Sequence, residues 1–110
     1  MPRQIVNFGK SGTPKVSEKV FVQQVIGVAD SLGWLCYHTW RSDHSEAGYP
    51  DLTMVKGDRL IFAELKAEGK KPEPEQRRWL DALSTATREV YIWVPSDYDR
   101  IVRLLGGEPQ

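Results

Sequence analysis

The sequence contains one cysteine, no long apolar run and no excess of charge of either sign. The single thiol of Cys36 cannot form a disulfide within the chain, and it cannot supply a zinc site built from several cysteines. No apolar stretch approaches the ~20 residues of a membrane-spanning helix, and the first residues lack the apolar core of a signal peptide. We therefore expect a protein with no membrane association, located in a reducing cytoplasm.

Fifteen basic residues balance fifteen acidic ones, so the formal net charge is zero. A protein that coats nucleic acid indiscriminately would be strongly basic, and the composition argues against that class. A nuclease is still compatible with it, because an acidic metal site subtracts charge that a bound cation restores. A chain of 110 residues suits one domain with one core. We expect an amino-terminal arm at 1–13, a folded domain at 14–106 and a tail at 107–110.

Apolar periodicity and the positions of glycine and proline predict seven elements in the order α-β-β-β-α-β-α. We expect the first helix to begin at Thr13 and Pro14 or at Ser17, and Ser96 to cap the last helix, with Asp99 in a capping box. The other predicted elements are strands over 34–40, 51–56, 60–66 and 90–94 and a second helix over 74–86. Strands flanked by helices imply an α/β fold whose sheet is covered on both faces.

A two-residue turn at 57–58 would fix the register of the strands on either side of it. In that register Asp51 lies directly opposite Glu64, with the two Cβ atoms ~4.5–5.5 Å apart. Lys66 comes two residues after Glu64 and points to the same face of the sheet. A slip of one residue would send Asp51 to the other face, so the interpretation depends on this turn.

Two like charges directly opposed on paired strands destabilise a sheet unless a cation offsets them. Lys66 is one candidate for that cation, and a divalent metal is another. Mg²⁺ prefers oxygen ligands, commonly one or two carboxylates with waters, and we expect Mn²⁺ to substitute for it. Asp51 and Glu64 are the candidate ligands, and the Leu65 carbonyl is a further one. Lys66 is expected to orient the attacking water and to stabilise the developing charge.

The alternative is a surface hairpin with a cross-strand salt bridge. We favour a site because Glu64 and Lys66 lie among apolar residues, and charges are almost never buried unpaired. Glu18, on the apolar stripe of the first helix, is either a first-turn acid favoured by the helix dipole or a member of a metal site. Gln76, on the apolar face of the second helix, is either an exposed residue at the helix start or a site residue.

Four segments carry a resemblance to a known family: GYPDL at 48–52, FAELK at 62–66, PEQRRWL at 74–80 and VYIWVP at 90–95. Together they resemble the VRR-NUC family of the PD-(D/E)XK nuclease superfamily, and the chain is similar to its short, stand-alone, phage-type members. A Pro-Asp pair with Glu-x-Lys is a weak signal alone. Its combination with a Glu-Gln pair about ten residues later is much more specific.

The resemblance implies a restriction-endonuclease-like core with a central mixed sheet, and Mg²⁺-dependent hydrolysis of DNA. It implies that Asp51 and Glu64 bind metal, that Lys66 is catalytic and that Gln76 belongs to the site. Glu18 is the best match to the acid that often completes the family's site. Short members look like self-associating, junction-cleaving enzymes. This implies branched or Holliday-junction DNA as substrate, a role in DNA repair or recombination and, for a phage protein, the host cytoplasm.

Basic residues near the predicted site are candidates for phosphate contacts, which supply affinity but no sequence information. Each of them, taken alone, is more often a solvated charge. The candidates are Arg41, His44, Lys70, Lys71, Arg77 and Arg78.

Symmetric cleavage of two strands needs two active sites, so we expect a homodimer with twofold symmetry. Trp34, Trp40 and Trp79 are the predicted spare apolar surface for its interface, and the alternative is a monomer with all aromatic residues in the core. Two other functions stay open. One is a restriction-type nuclease that reads sequence, and the other is a catalytically silent nuclease-like module that binds DNA.

Overall fold

A four-stranded mixed sheet lies at the centre of the structure, a computed structural model that describes residues 16–39 and 46–107. The strands are β1 (Leu35–His38), β2 (Leu52–Lys56), β3 (Arg59–Leu65) and β4 (Val90–Trp93). They lie side by side in that order; the first three are antiparallel, and β4 runs parallel to β3. The predicted α/β class is confirmed, and β1 is an edge strand.

Three helices cover the two faces of this sheet: α1 (Glu18–Ser31), α2 (Pro74–Ala86) and α3 (Tyr98–Leu105). Residues of α1 and α3 pack with alternate residues of the strands into the larger core, whose fully buried members include Phe21, Met54 and Ile101. On the other face Leu80 of α2 packs with Phe62 of β3 and with Val90. Since α2 connects the parallel strands β3 and β4, it forms the crossover that such a pair requires. Among the described residues, no helix is long and apolar enough to cross a membrane.

A side-chain cap explains where α1 begins, whereas α3 has no such cap. Ser17 is the cap of α1, where its hydroxyl accepts a hydrogen bond from the Val20 N–H at 3.1 Å, which decides between the two predicted starts. The prediction that Ser96 caps the last helix, with Asp99 in a capping box, is wrong. Ser96 lies in a short 3₁₀ turn, Pro95–Asp97, and its N–H and hydroxyl both donate to the Glu68 carboxylate. Its side chain is therefore engaged, and α3 begins after Asp97.

The register predicted for the hairpin of β2 and β3 is confirmed. Lys56 pairs with Arg59 across the turn, and the pairing continues without a slip to Leu52 opposite Ala63. Gly57 has a φ of +60°, which glycine adopts without a steric penalty, as a two-residue turn with glycine in first place requires. Residues of β2 and β3 therefore face the sides of the sheet that the alternation predicted.

Trp34 is part of the core, which corrects its assignment to a spare apolar surface. Only 3% of its surface is exposed, and its indole N–H donates to the Leu105 carbonyl at 2.9 Å. It directly precedes β1, and its side chain is bound by the end of α3. Trp40 lies outside the described residues.

Arg59 links the hairpin to two other parts of the fold. Its guanidinium donates to both Glu89 carboxylate oxygens, at 2.9 and 2.7 Å, and to the Leu104 carbonyl at 3.2 Å. It also lies over the Trp34 ring, 5.0 Å from the centroid. One side chain thus joins β3 to the segment before β4, to α3 and to the core tryptophan.

We expect Arg59→Ala to lower the free energy of unfolding by about 1–3 kcal/mol, because hydrogen bonds to a charged group are lost together. Arg59→Lys should restore little of it, since lysine lacks the planar fork that matches a carboxylate. The control is Arg77→Ala, which breaks an exposed pair with Asp81 and should cost less than about 0.5 kcal/mol. Denaturant unfolding measures all three, and equal losses at Arg59 and Arg77 would contradict the role of this network.

Candidate active site

Two carboxylates lie next to each other where β2 begins and β3 ends. The register, carried one residue beyond Leu52 and Ala63, puts Asp51 opposite Glu64. Both are buried, with 4% and 1% of their surfaces exposed. They share the α2 side of the sheet with Phe62, because side chains alternate along a strand. Asp51 is held by its Oδ2 atom, which accepts a hydrogen bond from the Leu65 N–H at 2.9 Å.

Glu64 is the exceptional group of this site. Neither of its carboxylate oxygens accepts a hydrogen bond from any described residue, although both are fully buried. The nearest cation is the Lys66 ammonium, whose Nζ lies 3.6 Å from Oε2, slightly too far for a hydrogen bond. Buried polar groups nearly always have partners, so this carboxylate is suited to a partner from outside the chain.

Burial, and after it the negative charge of Asp51, raise the pKa of the Glu64 carboxyl from 4.5 to about 8. The Lys66 ammonium acts in the opposite direction, without cancelling these effects. The raised pKa favours the protonated carboxyl, and a cation that binds here competes with that proton. A bound divalent cation would reverse the effect of Asp51 by offsetting both charges.

The structure brings Glu18 within electrostatic range of the carboxylate pair. It is the first residue of α1 and is half-buried, and its negative charge also raises the pKa of Glu64. Its place in the first helical turn agrees with the dipole interpretation as well. The position of Glu18 is therefore compatible both with an acid favoured by the helix dipole and with a member of a metal site. Its role in metal binding stays a prediction.

Gln76 is engaged at the start of α2. Its side-chain oxygen accepts a hydrogen bond from the Glu73 N–H at 2.7 Å, as the third residue of a capping box does. The helix start itself packs against the segment before Asp51. Gly48 has a φ of +88°, and a Cβ there would lie 2.5 Å from the Glu75 carbonyl oxygen, so only glycine fits. The catalytic role predicted for Gln76 stays a prediction.

Two residues that position the segment around Asp51, Thr39 and Tyr49, were not predicted from the sequence. The Thr39 N–H donates to the Asp51 carbonyl at 2.8 Å, and its hydroxyl donates to the Pro50 carbonyl at 2.6 Å. The Tyr49 ring packs edge-on against Trp79 at 5.0 Å and Phe62 at 6.3 Å between centroids. The Gly-Tyr-Pro run before Asp51 was the one sequence feature that could have indicated these contacts. The structure explains it, because this run packs against α2.

The predicted phosphate contacts divide into three groups. Lys70, Lys71 and Arg78 are exposed. Arg77 is exposed too, but its Nε lies 3.3 Å from a carboxylate oxygen of Asp81. Arg41 and His44 lie outside the described residues.

The donor set at the carboxylate pair suits a hard cation. Among the described residues, no three or more His, Cys, Asp or Glu side chains come together as a ready-made metal cluster. Asp51 and Glu64 supply two carboxylates, and the Leu65 carbonyl stays the predicted third ligand. Mg²⁺ often uses one or two carboxylates and completes its shell with water. The Glu64 oxygens accept no hydrogen bond from the described residues, so they are free to bind such an ion.

With metal removed by a chelator, we expect the free energy of unfolding to fall as the pH rises. Loss of the Glu64 proton should contribute about 1.4 kcal/mol per pH unit to this slope. Because the pKa of Glu64 is raised in the folded state, the protonated carboxyl stabilises the fold. This stabilisation is fully present below pH 4.5 and is lost as the pH rises through about 8. Glu64→Gln should remove this slope. Asp97, whose pKa burial raises to about 6, contributes equally to both proteins. Denaturant unfolding at several pH values tests this, with exposed Glu75→Gln as control; an unchanged slope in Glu64→Gln would contradict it.

Comparisons with known proteins agree with this description at the level of the fold. No family model matches the chain, and no curated protein sequence matches it significantly. One solved structure, described as a "VRR_NUC domain", is similar, with a TM-score of 0.67 and 23% sequence identity. The match covers 84% of this chain and 97% of that one. The predicted fold is therefore confirmed: the chain has the architecture of a VRR_NUC domain, with a restriction-endonuclease-like core.

Proposed function

We propose that this chain is a metal-dependent DNA endonuclease of the VRR-NUC family, in the PD-(D/E)XK superfamily. The observation that carries the proposal is the buried pair of Asp51 and Glu64. Neither Glu64 oxygen accepts a hydrogen bond from a described residue, and Lys66 lies beside them. The resemblance in sequence and the shared fold support the same assignment independently. A catalytically silent DNA-binding domain is less favoured, because it would keep a destabilising buried charge pair to no purpose.

Asp51, Glu64 and the Leu65 carbonyl would hold Mg²⁺, with Mn²⁺ as a substitute and Glu18 as a further candidate. When bound, the ion supplies a Lewis acid that neutralises phosphate charge and lowers the pKa of a water molecule. The Leu65 N–H fixes the Asp51 carboxylate, so this ligand is oriented before a cation arrives. Lys66, largely buried, would orient the attacking water and stabilise the charge that develops on the phosphate.

Branched DNA, such as a Holliday junction, is the proposed substrate, and a restriction-type enzyme that reads sequence is the alternative. A sequence-reading nuclease needs additional elements that reach base edges in a groove of DNA. The described residues form only the sheet and its three covering helices, which favours recognition of shape. Lys70, Lys71 and Arg78 are proposed phosphate contacts, and Arg41 and His44 are kept as candidates.

We expect Asp51→Asn and Glu64→Gln each to lower the rate of DNA cleavage by more than about 100-fold, the upper range for changes around a metal ligand. Asparagine can still accept the Leu65 hydrogen bond, so the fold should persist. Asp58→Asn, in the exposed hairpin turn, is the matched control and should cleave normally. Cleavage of plasmid and labelled junction DNA in Mg²⁺, Mn²⁺ and excess chelator tests this. Near-normal activity of either site variant, or activity in chelator, would overturn the site.

Lys66→Ala separates the catalytic role from binding in the same experiment. Removing one charge that stabilises the reacting group should lower the single-turnover rate by about 100-fold or more. The affinity for DNA should change little, since phosphate binding is spread over several basic residues. The assay is run at saturating Mg²⁺, because Lys66 also favours the ionised form of Glu64. A loss of affinity as large as the loss of rate would instead make Lys66 a binding residue.

The proposed homodimer is supported by an exposed apolar row on the sheet. Leu35 of the edge strand pairs with Val55, which pairs with Leu60, and all three are exposed. We expect light scattering at micromolar concentration to give twice the 12.5 kDa of one chain, and Leu35→Asp to give the monomer. Val20→Asp, at an exposed apolar position of α1, is the control. A monomer that still cuts both strands of a junction in one binding event would contradict the dimer.

A further inference from the structure

A groove of about 790 Å³ lies beside the carboxylate pair. Tyr37 of β1 and Thr39, the residue after this strand, form one wall. The helix α2 forms the other wall with Glu75, Arg78 and Trp79. The segment that leads to Asp51 closes one side through Tyr49. Its volume lies within the ~300–1,000 Å³ range of small-molecule sites, so it has room for one nucleotide.

This groove is continuous with the candidate active site. Thr39, in its wall, lies opposite Asp51, as the hydrogen bond from the Thr39 N–H to the Asp51 carbonyl shows. Neighbouring strands are ~4.8 Å apart, so the groove wall is one strand spacing from the first carboxylate. Tyr49 lies two residues before Asp51 along the chain. A nucleotide in the groove would therefore be adjacent to a phosphate at the carboxylate pair.

The walls of the groove offer aromatic surfaces for stacking. Tyr37 is 59% exposed, although it lies on a strand of the central sheet. Trp79 and Tyr49 are half-buried and packed edge-to-face, which fixes the orientation of both rings. Every base has a π-face, and stacking on such side chains supplies affinity with little dependence on sequence.

The charges of the groove favour a base over the phosphate backbone. Glu46 and Glu75 line it together with one cation, Arg78, which forms no ion pair with any residue in the described part of the chain. Among the described lining residues two carboxylates outnumber one guanidinium, which disfavours a phosphate chain, whereas carboxylates accept hydrogen bonds from base amino groups. The aromatic and the acidic residues of the groove therefore both favour a nucleobase as the ligand.

We propose that this groove receives an unpaired nucleobase of the DNA substrate and stacks it against Tyr37 and Trp79. The proposal rests on the proposed nuclease function and specifies its substrate as DNA with an unpaired base next to the cleaved phosphate. Flaps contain such bases and frayed branch points expose them, whereas continuous duplex does not. The groove would then contribute to the preference for DNA structure over DNA sequence.

The test uses the whole chain in Ca²⁺ and a duplex whose single-stranded overhang carries the fluorescent base 2-aminopurine next to the branch. Stacking on an aromatic ring quenches this base, so wild type and Tyr37→Phe should quench it on binding. Tyr37→Ala should lose the quenching and bind the overhang DNA about 5- to 150-fold more weakly, as expected for one lost base stack. Its affinity for fully paired duplex should change less than twofold. Tyr98→Ala, at a partly exposed tyrosine on α3, is the control and should behave as wild type.

The salt dependence of binding gives a second readout. Stacking releases no counterions, so Tyr37→Ala should leave the slope of log Kd against log salt unchanged, whereas loss of a phosphate contact lowers it. The proposal is overturned if Tyr37→Ala matches wild type, weakens both DNAs equally or reduces the salt slope, while the wild type still cleaves DNA in Mg²⁺. A wild type that neither binds nor cleaves any DNA would overturn the proposed function itself.

Discussion

The repulsion between Asp51 and Glu64 is the constraint around which the rest of the structure is arranged. The unshifted register of a two-residue hairpin forces the two carboxylates together. Water would normally screen such a pair, but both groups are buried, and the repulsion is stronger in a medium of lower dielectric constant. One carboxylate accepts a hydrogen bond from a backbone N–H, and the other accepts none from the described residues and has only the Lys66 ammonium nearby. This asymmetry is the reason that the pair is the proposed cation site.

Several parts of the fold converge on this pair from different directions. The segment before Asp51 is bound by Thr39, the residue after the edge strand. It is also held by α2, which approaches Gly48 so closely that no side chain fits there. The start of α1 brings Glu18 within electrostatic range. Most of these contacts involve backbone atoms or rigid rings, so the carboxylates have little freedom to move apart. The groove next to them is formed by the same contacts, which is why its aromatic wall and the carboxylates keep a fixed relation.

Much of this arrangement follows from local patterns in the sequence. Glycine in the hairpin turn, strand alternation and the Pro74 helix start predicted the sheet, α2 and the opposition of Asp51 and Glu64. The errors occurred where distant segments decide the local structure. Ser96 has a suitable side chain for a cap, but Glu68 binds it. The sequence around Trp34 is compatible with a surface position, and only the contact with the end of α3 places it in the core. The fit of Gly48 against Glu75 and the hold of Thr39 on Asp51 also join segments far apart in sequence, and no periodicity reveals them.

The hairpin that carries both carboxylates also determines when during folding their repulsion is felt. Only twelve residues separate Asp51 from Glu64, so closing this loop costs little entropy, and hairpins form within about 1–10 μs. The parallel pairing of β3 with β4 needs the whole crossover through α2 and comes later. The two charges therefore meet first in a hydrated hairpin and are dehydrated only as the helices dock. The unfavourable electrostatic energy therefore belongs to docking and not to closure of the hairpin, and a proton on Glu64 reduces it.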